Sequence, residues 1–497
     1  MTPSKKHHAG RPGKRTMLST CISLALMLSG CAYPIRNVPA QKIDSSGYRW
    51  SNLKGGVLDD TLVIVAASGG GTRAATLELS VLKGLKDIKL KRGGRLSDEV
   101  DIISSVSGGS VTAAYFALHG SDRIDELETK FLRKDGIGAL LASGLNPVGL
   151  ARISTPAVER IDLLIEYFEK TLFINHESFG SLLQTGRRPY LILNAADMVE
   201  GIPFPLTQTN FDLLCSDLSV LPLAVGVAAS AAFPVALSPV TLKNHSPCPA
   251  QPRSWPPLWV RADAATDWYD NPERAMRGRA GLAYAQGKGG QYSKDYVHLL
   301  DGGIADNLGL GEPLRILTTV APSPAFLDDL EAGNIKKIVF IVVNARAFET
   351  STLNREQATP GILPMLLSTI SSGIDRTAAG NAARLMEVLS NQLSAKASER
   401  RANFPGMAAN LDELQKHIYL LNVDFDAIRE ESCRRKFHNI KTSWTNSDRE
   451  IDGLLKIGRA LLRQDPQFPR MLADIDAQSS DKTTVAEACA MLEAQQN

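Results

Sequence analysis

Histidine and cysteine are scarce in this sequence, and neither is arranged as it would be in a metal centre. The 497 residues include eight histidines and six cysteines. No Cys-x-x-Cys pair and no histidine cluster has the spacing of zinc ligands, and no histidine stands in a context that marks it as catalytic. The sequence therefore predicts neither a metal ion nor any other cofactor.

The sequence also lacks the glycine patterns that bind nucleotide phosphates and the basic stripe that binds nucleic acid. Its glycine-rich run near residue 70 matches neither Gly-x-x-x-x-Gly-Lys-Ser/Thr nor Gly-x-Gly-x-x-Gly. Lysine and arginine total 55 against 53 acidic residues, a formal net charge of +2. Residues 1–30 hold five of these positive charges and no acidic residue, so the rest of the chain carries −3. Nucleic acid is therefore not an expected partner.

The start of the chain carries an apolar run that is too short to cross a bilayer as a helix. Residues 17–28 follow a basic, acid-free stretch, a combination typical of a secretory signal. The sequence Leu28-Ser29-Gly30-Cys31 then resembles a bacterial lipobox. That resemblance implies cleavage before Cys31 and acyl chains on its thiol and amino groups, which would anchor the protein in a membrane.

Residues 1–30 are thus predicted to be a lipoprotein signal peptide and residues 31–57 a lipid-anchored tether. The tether prediction comes from a mixture of proline, glycine and polar residues without periodicity. Ala32, rather than an aspartate, follows the cysteine, which favours an exported lipoprotein of the outer membrane. A plain cleaved signal with an incidental cysteine is the alternative interpretation.

Four cysteines remain after the signal and the lipobox: Cys215, Cys248, Cys433 and Cys489. Disulfides persist in exported proteins, and four cysteines allow three pairings. Proximity in the sequence favours Cys215 with Cys248 and Cys433 with Cys489. Four unpaired thiols are the alternative.

Strand-like apolar runs alternate with helical segments along the chain. A buried-strand pattern over 61–67 leads through a glycine-rich loop into a helix, and the run 100–106 leads into a second helix. Further strands are predicted over 190–194, 296–300, 338–343 and 418–423. This alternation predicts an α/β fold with a parallel sheet.

The region 243–290 differs in character from the rest of the chain. It holds five prolines between 247 and 257, together with Trp255, Trp259 and Trp268. We predict an irregular insertion that forms a lid or lip of the site, with an ordinary surface loop as the alternative. Residues 346–497 are predicted to be a mainly helical C-terminal region that packs on the catalytic domain.

The glycine-rich loop, Gly69-Gly70-Gly71, comes directly after the first predicted strand. Glycine lets the backbone approach a substrate closely, and backbone N–H groups stabilise the negative charge that forms on an ester oxygen during attack. The following helix N-terminus adds partial positive charge. Arg73 is expected to fix this loop, to face an anionic head group or to form a simple salt bridge.

The segment Ser105-Val106-Ser107-Gly108-Gly109 lies between the second strand and its helix. It follows the Gly-x-Ser-x-Gly pattern of a nucleophile on a tight strand-to-helix turn, with serine at position 105 in place of glycine. Ser105 would lie on the strand and Ser110 inside the helix, so Ser107 is the predicted nucleophile.

Asp301-Gly302-Gly303 follows a third strand, where the two glycines leave the carboxylate uncovered at the carboxyl end of the sheet. A carboxylate bonded directly to a serine can serve as its base. Burial would have to raise the pKa of Asp301 for it to accept a proton effectively.

These three motifs, in this order, resemble those of the patatin-like phospholipase family over residues 58–345. The segments 194–197 and 230–234 match the family more weakly. The resemblance implies a three-layer α/β/α hydrolase fold with a mostly parallel central sheet, and a catalytic domain over 58–345. It also implies a Ser107–Asp301 dyad without histidine, an oxyanion hole from the glycine loop and no metal.

The function implied by the resemblance is hydrolysis of acyl esters of lipids, as in a phospholipase A or a lysophospholipase. The expected partners are therefore an acyl-ester lipid, such as a phospholipid, and the membrane that holds the anchor. Two alternatives stay open. One is a Ser-His-Asp esterase acting on small soluble esters through His417 or His438, and the other is a non-catalytic lipoprotein that binds a lipid or a protein partner.

Overall fold

The computed structural model of the chain describes residues 35–136, 158–287, 294–318, 333–347, 359–387 and 405–493, with residues 357, 398, 401 and 402. The predicted signal peptide and Cys31 lie outside the described residues. None of the described helices is both long enough and apolar enough to cross a lipid bilayer.

The strands of the described residues are short to medium in length and are numbered here in chain order. They are β1 Val38–Pro39, β2 Thr61–Ala67, β3 Ile88–Leu90, β4 Val100–Val106, β5 Tyr190–Asp197, β6 Pro203–Leu206, β7 Ser216–Asp217, β8 Val240–Lys243, β9 Tyr296–Asp301, β10 Lys337–Asn344, β11 Ile418–Asp424 and β12 Ala477–Ser479.

The α-helices lie between these strands and after the last long one. They are α1 Gly71–Lys86, α2 Gly108–Arg123, α3 Arg160–Thr171, α4 Phe179–Thr185, α5 Gln208–Leu213, α6 Leu223–Ser230, α7 Leu258–Ala264, α8 Pro272–Gln286, α9 Gly303–Asp306, α10 Gly311–Thr318, α11 Ile362–Glu387, α12 Pro405–Lys416, α13 Glu431–His438, α14 Asp448–Gln464, α15 Phe468–Asp474 and α16 Val485–Glu493.

One eight-stranded sheet organises the fold. Its strands are hydrogen-bonded in the order β11-β10-β2-β4-β5-β9-β8, and β6 also pairs with β5. Strands β11, β10, β2, β4 and β5 are parallel, whereas β6, β8 and β9 are antiparallel to their neighbours. The predicted α/β fold with a mostly parallel central sheet flanked by helices is confirmed.

Helices cover both faces of the parallel part of the sheet, so its central strands are buried on both sides. Every residue of β2, β4 and β5 is buried. The helices that follow β2 and β4, α1 and α2, pack against each other. The carboxyl ends of β2 and β4 therefore open into adjacent loops, which is where the predicted glycine loop and nucleophile lie.

Strands β4 and β9 meet end to end along one edge of β5. Val106, the last residue of β4, pairs with Asn194, and Asp301, the last residue of β9, pairs with the next residue, Ala195. Strand β6 occupies the other edge of β5 at these positions. Because β4 runs parallel and β9 antiparallel to β5, the carboxyl ends of β4 and β9 face each other.

The described part of the predicted tether, residues 35–57, is not a free linker. Strand β1 pairs with β7, and the side chain of Asn37 donates to the Lys243 carbonyl at 2.8 Å. The Tyr48 ring is fully buried and stacks on Tyr190, and its hydroxyl accepts a hydrogen bond from the Leu191 N–H at 2.7 Å. The prediction overlooked that one buried aromatic residue can hold an otherwise irregular segment on the core.

The predicted insertion over 243–290 is also more regular than expected. Its described residues contain two helices, α7 and α8, which pack against each other. Trp259 is buried, while Trp268 and Tyr269 are 43% and 94% exposed. The prolines precede α7 or begin α8, so they delimit helices here.

The C-terminal region does more than pack helices on the catalytic domain. Its strand β11 extends the central sheet in parallel register with β10, from Ile338 opposite Ile418 onward. The described residues form two disulfides, Cys215–Cys248 and Cys433–Cys489, with Cα–Cα distances of 5.3 and 5.5 Å. The second disulfide joins α13 to α16.

Candidate active site

Ser107 occupies the tight turn between β4 and α2. Its φ of +50° is rare for a residue with a side chain, and such strain typically persists only where the surrounding structure fixes it. The turn also brings Gly108 against the glycine loop, because a Cβ on Gly108 would lie 1.9 Å from the Gly71 carbonyl oxygen. Only glycine at position 108 allows this approach of the turn to the loop.

The side chains of Ser107 and Asp301 are in direct contact. Ser107 Oγ donates a hydrogen bond to Asp301 Oδ2 at 2.7 Å, and the Gly303 N–H donates to Asp301 Oδ1 at 2.8 Å. Asp301 is buried, and that burial raises its pKa to about 6 in spite of these two hydrogen bonds. A carboxylate with this pKa is ionised at neutral pH and is a better proton acceptor than an exposed aspartate.

The buried hydroxyl of Ser230, at the end of α6, holds the backbone of Ser107. The Ser107 N–H donates to Ser230 Oγ at 3.0 Å, which in turn donates to the Asn194 carbonyl. The backbone beside Asp301 is held by the same helix end, since the Asp301 N–H donates to the Ala232 carbonyl at 3.0 Å. The sequence signal for this support was the weaker match over 230–234.

The three glycines of the loop differ in what their N–H groups contact. The Gly69 N–H donates to the Asn307 carbonyl at 3.1 Å. The N–H groups of Gly70 and Gly71 donate no hydrogen bond within the described part of the chain. Helix α1 begins at Gly71, so these two groups lie at its positive end.

The segments that form this site all lie within one stretch of the chain that matches a known family. A sequence model of the patatin-like phospholipase family matches residues 65–314, about half of the chain. The chain belongs to the patatin-like phospholipase family. The family assignment predicted from the three motifs is confirmed, and the family is one of lipid ester hydrolases, in agreement with the predicted enzyme class.

Solved structures similar to this patatin-like chain include two of human GIVD cytosolic phospholipase A2. The first is 14% identical, with 64% of this chain and 52% of that chain covered and a TM-score of 0.35. The second, in complex with methyl gamma-linolenyl fluorophosphonate, is 12% identical, with 87% and 60% covered and a TM-score of 0.37.

VipD from Legionella pneumophila is another similar structure, at 11% identity, with 95% of this chain and 94% of that chain covered and a TM-score of 0.22. The patatin-like chain spans between half and three fifths of the length of the two phospholipase A2 structures. No curated protein sequence matches it.

Arg73, just after the glycine loop of this patatin-like chain, is turned into the protein. It is 3% exposed. Its guanidinium group donates from Nε to the Ala345 carbonyl at 2.8 Å, from Nη1 to the Ile440 carbonyl and from Nη2 to Thr442 Oγ1 at 2.9 Å. Of the three roles expected for Arg73, these contacts favour fixing the loop.

Ser105, the departure from the glycine of the sequence pattern, has a buried partner. Its hydroxyl donates to Glu78 Oε1 at 2.9 Å. Glu78 is fully buried on α1, and burial raises its pKa well above the ordinary value, which favours the protonated form of the carboxyl group. Its other oxygen also lies 3.1 Å from where a Cβ on Gly109 would stand. Glu78 was not predicted, because nothing in the sequence marks an acid in an apolar helix as a partner of Ser105.

The two histidines considered for a triad have carboxylate partners elsewhere. His417 immediately precedes β11, at the amino end of the parallel strands, and its Nδ1 lies 2.8 Å from Asp474. His438 Nε2 lies 2.9 Å from Asp426. Within the described residues, no group of three or more histidine, cysteine or acidic side chains is placed to hold a metal ion.

Proposed function

We propose that this protein hydrolyses acyl esters of lipids, as a phospholipase A or a lysophospholipase, with Ser107 as the nucleophile and Asp301 as its base. The observation that carries the proposal is the 2.7 Å hydrogen bond between Ser107 Oγ and Asp301 Oδ2. Family membership supplies the substrate class, since the family is named for phospholipid hydrolysis.

In the first half of the reaction, Ser107 Oγ attacks the ester carbonyl carbon while its proton passes to Asp301. The tetrahedral intermediate then collapses, the bond to the alcohol breaks, and Asp301 returns the proton to the leaving oxygen. The products are a free alcohol, such as a lysophospholipid, and an acyl group esterified to Ser107.

In the second half, Asp301 takes a proton from a water molecule that attacks the acyl-enzyme. Collapse releases the fatty acid and restores the Ser107 hydroxyl with the proton from Asp301. One carboxylate therefore acts as base and acid in both halves, for which a pKa of about 6 is suited because the group changes protonation readily near neutral pH.

The oxyanion hole is proposed to be built by the glycine loop. Gly69, Gly70 and Gly71 were all predicted as donors, but the Gly69 N–H is engaged by the Asn307 carbonyl. We therefore propose that the N–H groups of Gly70 and Gly71 are the oxyanion donors and that Gly69 shapes the loop. Loss of one such donor in other hydrolases costs on the order of 10²-fold to 10³-fold in rate.

We further propose that Cys31 carries a lipid anchor and that the protein works at the outer membrane of a bacterium. The basic start, the apolar run over 17–28 and the lipobox-like sequence support this proposal. An anchor would hold the site near lipid substrates and raise their effective concentration. Replacing residues 1–31 by a cleavable secretory signal without a lipobox should move the protein from the membrane fraction to the soluble fraction of the periplasm.

The experiment that tests the catalytic proposal is labelling of the purified protein with a fluorophosphonate, followed by peptide mapping. We expect a single adduct on Ser107, no adduct in Ser107→Ala, and a strongly slowed reaction in Asp301→Asn. The His417→Ala and His438→Ala variants should label at the wild-type rate. A folded protein that is not labelled would favour the non-catalytic alternative, and loss of labelling in either histidine variant would favour the Ser-His-Asp alternative.

A further inference from the structure

We infer that residues 440–443 of the C-terminal region position the glycine loop, so that a segment far outside the family match sets the geometry of the oxyanion donors. This inference rests on the proposed function and adds a positioning element to it. The family match ends at residue 314, and the sequence offers no motif in the C-terminal region to indicate such a role.

The first contact is between the backbones of the loop and the segment. The Thr72 N–H donates to the Ser443 carbonyl at 2.8 Å, and Gly71 forms an isolated parallel bridge with Ser443. Gly71 has φ +61°, and a Cβ there would lie 2.1 Å from the Ser443 carbonyl oxygen. Glycine is required at position 71 because the C-terminal segment lies against it.

The second contact is the Arg73 guanidinium, which joins three segments at once. Its acceptors are the Ala345 carbonyl just after β10, the Ile440 carbonyl and the Thr442 hydroxyl. A buried guanidinium has a rigid, planar set of donors, so these acceptors fix the direction of the side chain. Arg73 lies within α1, two residues after Gly71, and its position therefore constrains the start of the helix and the donors there.

The segment 440–443 is itself held in place by the helix that precedes it. It follows α13, whose Cys433 is bonded to Cys489 of α16 and whose Phe437 is fully buried against Phe425, with ring centroids 5.4 Å apart. His438 at the end of α13 lies 2.9 Å from Asp426. These contacts hold the segment in a fixed position, and the glycine loop packs against it.

The kinetic consequence follows from when the oxyanion exists. Negative charge develops on the substrate oxygen only as the serine attacks, so a displaced donor weakens binding of the transition state and not of the ester. A disturbed support should therefore lower kcat and leave KM nearly unchanged. A residue that instead bound an anionic head group would raise KM when replaced.

The test compares Arg73→Lys with the full-length wild-type protein on a phospholipid in mixed micelles. Lysine keeps the charge but cannot reach all three acceptors. We expect kcat to fall about 10-fold to 100-fold, KM to stay within about twofold, and the rate of fluorophosphonate labelling at Ser107 to fall in parallel. Arg435→Lys on the exposed face of α13 is the matched control and should behave as wild type.

A second variant, Thr442→Val, removes one acceptor from an exposed residue without changing the core, so it should fold even if Arg73→Lys does not. We expect a fall in kcat of several-fold at constant KM. Wild-type kcat in a folded Arg73→Lys or in Thr442→Val, or a raised KM at unchanged kcat, would overturn the inference. Absence of labelling in the wild-type protein would instead contradict the proposed function itself, so the two failures are distinguishable.

Discussion

Glu78 and Ser105 form a buried pair directly behind the turn that carries Ser107. The Ser105 hydroxyl donates to Glu78 Oε1 at 2.9 Å, and both side chains are completely inaccessible to solvent. Burial raises the pKa of Glu78 well above its ordinary value, because removal from water disfavours the charged form of the carboxyl group. The serine at position 105 is therefore accompanied by a partner on the neighbouring helix.

The first prediction concerns the pH dependence of stability in Glu78→Gln. In the unfolded chain Glu78 ionises near pH 4.5, whereas in the folded protein it stays protonated to a higher pH. Its contribution to stability is thus fully present below about pH 4.5 and is lost as the pH rises through the folded pKa, at about 1.4 kcal/mol per pH unit or less. Glutamine has no such loss. The melting temperature of Glu78→Gln relative to wild type should increase from pH 5 to pH 8, and a constant difference would contradict a neutral Glu78.

The second prediction concerns the pH dependence of activity. Asp301 must be ionised to accept the Ser107 proton, and its pKa is raised to about 6 by burial. We expect kcat/KM to be low below pH 5, to rise through a midpoint near pH 6 and to reach a plateau above pH 7. The midpoint should be the same in the His417→Ala and His438→Ala variants. A midpoint that moves or disappears in either variant would mean that an imidazole is the base.

The third prediction concerns the contact between the nucleophile turn and the glycine loop. Gly108→Ala would place a methyl group 1.9 Å from the Gly71 carbonyl oxygen, a backbone atom that cannot move without the loop. We expect kcat to fall at least 100-fold, or the protein to lose stability, because loop and turn must separate. Gly373→Ala, on α11 with no atom near the added carbon, is the matched control. It should retain full activity, since alanine favours a helix more than glycine does.

The fourth prediction tests whether residues 35–57 belong to the folded domain. Tyr48→Phe removes the hydroxyl that accepts the Leu191 N–H and leaves that buried donor without a partner. The expected cost is about 1–3 kcal/mol in the free energy of unfolding, measured by denaturant titration. Tyr269→Phe, at a side chain that is 94% exposed, should cost almost nothing. Equal stability of Tyr48→Phe and wild type would support the free tether that the sequence predicted.

The strands and helices around the site were predictable because they depend on local patterns. The predicted strands over 61–67 and 100–106 match β2 and β4, and the two helices after them begin at the glycine loop and the nucleophile turn. A run of apolar residues followed by glycine indicates a strand–turn–helix unit, and this signal lies entirely in neighbouring residues of the sequence. The Ser107–Asp301 dyad was implied by the resemblance of the three motifs to the patatin-like family. The sequence did not indicate that β9 is antiparallel to β5, so that its carboxyl end faces that of β4.

The sequence did not reveal the contacts between distant segments that hold the site in place. Ser443 contacts the loop through its carbonyl group, which every residue possesses, so no residue type marks the contact. Asn307 engages Gly69 in the same way. Tyr48 lies in a segment without periodicity, and only the fold shows that its ring stacks on Tyr190. Such contacts depend on long-range packing, which local patterns do not encode.

The packing of residues 35–57 limits how far the protein can stand from a lipid attached at Cys31. Asn37 is already bonded to the domain, so only six peptide units separate the proposed lipid from the folded body. Six residues span about 20 Å at full extension, whereas a free tether from 31 to 57 would reach about 90 Å. An anchored enzyme would therefore stay within a short distance of the leaflet that holds its lipid. The face beside β1 would be turned toward the membrane.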